Sequence, residues 1–134
     1  MFKRIAVVLL TILMICCFCT MVFASTLTPR YMYTSSIRSS LTISGNTATC
    51  TSEVKGYLGE TTKIVIEQVL EKEVSPDNWD EVDSWTNTVN SYRSSFTNTK
   101  TGLASGTYRV TTISKVYVGE SFEQITTYSS EKNI

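Results

Sequence analysis

Histidine is absent from the 134 residues, and with it the side chain on which Ser–His and Cys–His nucleophilic catalysis and most zinc sites depend. There is no Gly-rich phosphate loop and no paired Cys motif. The residues left with chemical potential are the acidic run Asp77, Asp80, Glu81 and Asp83, the thiol of Cys50, and several aromatic side chains. Clustered carboxylates suit a hard cation such as calcium. Here their spacing departs from that of the EF-hand loop, lacks its glycine, and alternation sends Asp80 and Glu81 to opposite faces. Nothing singles out two of them as a glycosidase pair. The run reads as a solvated strand edge that discourages edge-to-edge pairing. No cofactor is expected, and the chain reads as a non-enzyme.

Cys50 has no histidine or helix N-terminus to lower its pKa and reads as a small buried apolar residue. The aromatic residues Trp79, Trp85, Tyr57, Tyr92, Tyr117 and Tyr128 are the better candidates for contact. Trp85 reads as core. Trp79, directly after Pro76-Asp77-Asn78, Tyr117, out of phase with Tyr108, and Tyr57, in a turn, are candidate binding residues for an extracellular protein or glycan.

These side chains need strands to hold them. Leu103-Ala104-Ser105-Gly106-Thr107-Tyr108 leads into an alternating run in which Tyr108, Val110, Thr112, Ser114, Val116 and Val118 share one face. That approach is how a tyrosine corner is entered in immunoglobulin-like sandwiches, and it predicts a buried Tyr108 whose hydroxyl bonds back to the upstream backbone. Strands are expected over 37–43, 47–57, 62–74, 79–90, 92–99, 106–118 and 121–130, with turn residues between them and a Gly119-Glu120 hairpin. Ala48, Cys50, Ser52 and Val54 share one face of the second. Ile64, Ile66 and Leu70 face inward on the third, where Gln68 interrupts the apolar pattern and a bulge is possible. Cys50 occupies the place of the first inter-sheet cysteine of antibody domains, while Val110 stands where its partner would be. Cys50, Ile64, Ile66, Tyr108 and Val110 are therefore expected to be buried together. The fold class is all-β: a single immunoglobulin-like sandwich of about seven strands in two sheets, over residues 37–134 and preceded by a signal helix.

That helix is residues 1–24. Lys3 and Arg4 precede an uncharged apolar run, and Val22-Phe23-Ala24 offers small residues at a signal-peptidase site before Ser25. An uncleaved anchor is the competing reading, since the run is long enough to span a bilayer. Cys16, Cys17 and Cys19 lack the small preceding residue of a lipidation site and read as apolar filler. Residues 25–36 read as a flexible lead containing Pro29. Removing Lys3 and Arg4 leaves ten basic side chains against twelve acidic ones, which disfavours nucleic acid or an anionic membrane as a default partner and leaves membrane contact only to the N-terminal segment, if it is uncleaved. Ser and Thr make up roughly a third of residues 25–134, a composition suited to solvent-facing strand positions. One cysteine outside the leader cannot form an internal disulfide. Export without disulfides suits a Gram-positive source.

The blocks Gly56-Tyr57-Leu58-Gly59-Glu60-Thr61-Thr62-Lys63-Ile64, Trp79-Asp80-Glu81-Val82-Asp83-Ser84-Trp85, Ser105-Gly106-Thr107-Tyr108-Arg109-Val110 and Ile125-Thr126-Thr127-Tyr128-Ser129-Ser130 occur in this order. Together they resemble a family of short, secreted, uncharacterised immunoglobulin-like proteins of Firmicutes. The resemblance implies export and a sandwich fold, and it supplies no catalytic residue. The function expected is that of a secreted, non-catalytic binding domain acting extracellularly or at the cell surface. The alternative is a small secreted bacteriocin- or toxin-like effector.

Overall fold

Period-two alternation rich in Val, Ile and Thr commits the chain to strands. The computed structural model describes residues 30–134. They form β1 (Ser36–Ser44), β2 (Thr47–Lys55), β3 (Lys63–Ser75), β4 (Asn78–Val89), β5 (Arg93–Lys100), β6 (Thr107–Val118), β7 (Ser121–Tyr128) and β8 (Lys132–Asn133). The expected signal helix and the first five residues of the expected lead lie outside the described residues. Two antiparallel sheets face each other, β1-β2-β5 and β4-β3-β6-β7, with β8 added beside the start of β6. This is the immunoglobulin-like sandwich, with the fourth strand paired to the third. β8 is an addition to the seven expected strands. A two-residue strand carries no readable alternation, and it is held by Ile134, whose N–H and C=O bond Gly106 at 3.0 and 3.3 Å.

Two hairpins set the register. Gly45 (φ 59°) and Gly119 (φ 62°) each begin a two-residue turn whose second residue keeps negative φ, the type II′ geometry that suits strand twist. The first aligns Leu41 with Cys50, and the second aligns Tyr117 with Phe122.

Ile64 and Ile66 do not share one core with Cys50, Tyr108 and Val110. All five are buried, but in two clusters. Leu41, Ala48, Cys50, Leu70, Leu103, Tyr108 and Val110 form one, and Val54, Ile64, Ile66 and Val116 the other. A polar belt divides them, because β2, β3 and β6 each place a polar residue inward at the same level. Gln68, fully buried, donates through Nε2 to Ser52 Oγ (2.7 Å) and the Phe96 carbonyl (3.2 Å), and its Oε1 accepts from Asn98 Nδ2 (3.0 Å). The hydroxyls of Ser52 and Thr112 lie 2.7 Å apart. Thr112 donates to Ser39 (2.9 Å), and Ser39 donates to the Val110 carbonyl (3.1 Å). Ser52 is thereby left to donate to Thr112, and each hydroxyl gives one hydrogen bond and takes one. Buried polar groups satisfied in this way fix a single sheet-to-sheet alignment.

The sandwich has two distinct ends. At one, which we call the corner end, Tyr108 Oη donates to the Ala104 carbonyl at 2.7 Å, and Leu103 N–H bonds the Asn46 carbonyl of the first hairpin at 3.0 Å. At the other, the entry end, β1 begins, β2 gives way to the loop leading to β3, and β6 turns into β7. The last part of the expected flexible lead is held here. Glu123 accepts the N–H groups of Met32, Tyr33 and Thr34 at 2.8, 2.9 and 3.1 Å. Burial pushes the Glu123 carboxyl up, and these amide donors outweigh it, so its pKa lies below the usual glutamate value.

Candidate functional site

Strict alternation would place Trp79 on the same face as Trp85. A β-bulge prevents it. The β3–β4 register shifts between Leu70 and Glu71, leaving Val82 as the extra residue between Asp83, opposite Leu70, and Glu81, opposite Glu71. Before the bulge Trp79 and Glu81 pair with the outward-facing Glu73 and Glu71. After it Trp85 pairs with inward-facing Gln68. Trp85 is half-buried against the corner-end cluster, whereas Trp79 stands on the outer face of the β4-β3-β6-β7 sheet.

There Trp79 meets Arg109. The guanidinium carbon lies 4.2 Å from the Trp79 ring centroid and 4.6 Å from that of Tyr128, so the cation sits against two aromatic rings. Glu71 fixes it: Oε2 accepts from Arg109 Nε at 2.7 Å and from the Thr111 hydroxyl at 2.7 Å. β6 brings Arg109 and Thr111 to this face, and β7 adds Tyr128 directly opposite Thr111. Tyr128 is 55% exposed. Among the described residues the terminal guanidinium nitrogens have no hydrogen-bond partner, so they can donate to a carboxylate, hydroxyl or carbonyl brought to this ledge. Cation–π contacts of this kind contribute about 0.5–2 kcal/mol each, depending on desolvation. Their larger effect on binding is to fix the rotamers before a partner arrives.

Tyr117 lies on the same outer face at the entry end, roughly 30 Å from Trp79 along the strands at about 3.3 Å per residue. It packs on Phe122 (centroids 5.1 Å apart) beneath Lys63 Nζ at 4.0 Å, and Lys115 Nζ lies 5.3 Å from the Phe122 ring. Tyr57 belongs to the β2–β3 loop. Its carbonyl accepts the Glu60 and Thr61 N–H groups, and its own N–H donates to Thr61 Oγ1 at 2.9 Å. The three candidate binding residues are thus divided, with Trp79 at the corner end and Tyr117 and Tyr57 at the entry end. Sequence reading missed Arg109 and Glu71. Arg109 immediately follows the corner tyrosine and so faces outward when Tyr108 faces in, which was the available signal.

The remaining candidates are placed as follows. Cys50 is a free, fully buried thiol, pushed up to about 12 by burial and secondarily by the negative charge of Asp83. Val110 packs in the same cluster. The acidic residues diverge. Asp83 turns between the sheets to Lys100 Nζ at 2.8 Å, and that hydrogen bond, with the Ser84 N–H, lowers its pKa. Glu81 accepts from Ser84 Oγ at 2.9 Å. Asp77, at φ 60°, donates its N–H to Glu73 Oε1 at 3.2 Å. Among the described residues no group of three acidic or cysteine side chains is placed to hold a metal ion.

No protein-family model matches the chain, and no curated protein matches it. Among solved structures it is similar to the catalytically inactive OgpA of Akkermansia muciniphila, crystallised with an O-glycopeptide (glycodrosocin) substrate. The TM-score is 0.41 and the identity 11%, over 78% of this chain and 31% of that one. The chain therefore spans about a third of that protein's length.

Proposed function

We propose that this protein is a secreted, non-catalytic recognition domain. It engages an extracellular protein or glycan through the outer face of the β4-β3-β6-β7 sheet, with the Trp79–Arg109–Tyr128 ledge at the centre of the contact. The observation that carries this reading is an arginine held between two rings and a carboxylate on a sheet face that no other element among the described residues covers. Tryptophan, tyrosine and arginine are the side chains that dominate interface energetics, and these three are ordered in advance. The resemblance to short, secreted, immunoglobulin-like proteins of Firmicutes accords with this reading, as does the expected leader over residues 1–24. The experiment is a glycan-array and pull-down screen with the wild-type chain and Trp79→Ala. Specific binding that is lost in the folded variant supports the proposal. Binding that Trp79→Ala leaves intact moves the contact surface elsewhere.

A further inference from the structure

The slightly acidic balance of the chain conceals an uneven distribution. Arg38, Lys55, Lys63, Arg93 and Lys115 all lie toward the entry end, against Glu53, Glu60, Glu120 and Glu123, the last already occupied by backbone amides. The corner end carries the reverse balance, with Glu71, Glu73, Asp77, Asp80, Glu81, Asp83 and Glu131 against Lys72, Lys100, Arg109 and Lys132, of which Lys100 and Arg109 are already paired with carboxylates. Within the basic end Lys55 stands directly opposite Arg93 across β2 and β5, both exposed. Like charges in that position are unfavourable unless an anion relieves them. Arg38, Glu53, Lys55 and Arg93 line an open depression there.

The aromatic residues follow the same division. Of seven tyrosines, Tyr31, Tyr33, Tyr57, Tyr92 and Tyr117 lie at or beside the entry end. The large apolar side chains left most open to solvent are Leu58 (77%) and Met32 (72%), and both are there, with Phe122 (49%) beside Tyr117. Tyrosines, lysines and arginines surrounding a few protruding apolar side chains form the composition of a bilayer interface. The chain also enters the sandwich at this end, carrying the apolar run of residues 5–24 ahead of it.

We infer that the entry end docks on an anionic bilayer surface. Lys55, Arg93, Arg38 and Lys63 contact lipid phosphates, and Leu58 and Phe122 dip into the headgroup layer. Each basic side chain near such a surface adds to the attraction, which salt screens. This inference does not rest on the ledge having a partner, although it would leave the ledge pointing away from the membrane.

The test is amide hydrogen exchange of the full chain reconstituted in phosphatidylcholine vesicles with and without phosphatidylglycerol. The expected result is several-fold slower exchange at residues 58–60 and 119–122 on the phosphatidylglycerol vesicles, with residues 44–46 and 76–78 unchanged. High salt and Lys55→Gln/Arg93→Gln should each abolish the difference, with the corner-end exchange reporting that the variant is folded. Equal exchange on both lipids would overturn the inference. So would equal protection by soluble glycerol phosphate, which would identify a free phosphate ligand instead of a bilayer.

Discussion

At the corner end Tyr108 closes onto Ala104, Arg109 lies against Trp79 and Tyr128, and Lys100 reaches Asp83 across the sheets. At the entry end Lys55 faces Arg93, while Met32, Leu58 and Phe122 stand in solvent. Both ends carry aromatic and charged residues. At the corner end Arg109 and Glu71, and Lys100 and Asp83, are paired internally, so the ledge is fixed before any ligand arrives. At the entry end several charges and apolar groups have no such partner, so that surface is completed from outside. The belt around Gln68 separates the two apolar clusters beneath these ends, and the contrast can be broken one element at a time.

The largest effect belongs to the belt. Gln68→Ala removes three hydrogen bonds, leaves Ser52 and Asn98 short of partners and opens a cavity, which should cost about 3–5 kcal/mol in chemical denaturation. A loss below about 1 kcal/mol would mean that water replaces the amide readily and the belt does not fix the sheet alignment.

Cys50 gives the next. Its thiol is raised from 9.0 to about 12, so the unfolded chain loses this proton first as pH rises. The thiol's contribution to stability is full below about pH 9 and is lost as pH climbs toward 12, an effect of about 4 kcal/mol. The stability–pH curve of Cys50→Ala should be flatter over that interval, and Cys50 in the folded wild type should resist alkylation until denaturant is added. Equal slopes for the two proteins would contradict the assignment.

Tyr108→Phe should cost about 1–3 kcal/mol, since it leaves the Ala104 carbonyl without its donor. A neutral melt would argue that the corner hydroxyl is replaced by solvent. The smallest effect is at Glu123. With its pKa lowered in the folded state, its contribution is present above the ordinary glutamate value and lost as pH falls through the folded one. Protection of the Met32, Tyr33 and Thr34 amides, taken relative to their intrinsic exchange rates, should therefore fall in the wild type once the pH drops below the ordinary glutamate range, and Glu123→Gln should show reduced protection already at neutral pH.

Much of this fold is legible in the chain. The strands, both tight hairpins and the corner follow from alternation and from glycine before a polar residue, because sheet periodicity and turn stereochemistry are local. Gln68 was visible as a break in an apolar face, but its partners Ser52, Asn98 and Thr112 come from three other strands, and no local pattern joins them. The ledge was half legible. Trp79 stood out by type, yet its face depends on a one-residue bulge at Val82 that alternation does not reveal. Arg109 acquires meaning only when β6 is set beside β7 and β3 brings Glu71 beneath it. The entry end was obscured because net charge and composition average over positions that the fold separates.

The measurement that bears most directly on the central claim is the affinity of Arg109→Ala for whichever partner the screen identifies, taken beside Tyr117→Ala and with thermal melts of both. A recognition surface centred on the ledge predicts that Arg109→Ala weakens binding at least tenfold at temperatures where the variant is fully folded, with a stability loss of about 1–3 kcal/mol, the combined scale of a part-buried ion pair and two cation–π contacts. Tyr117→Ala should bind as the wild type does. Unchanged affinity in Arg109→Ala with a lowered melting temperature would contradict the account and make the ledge a structural brace.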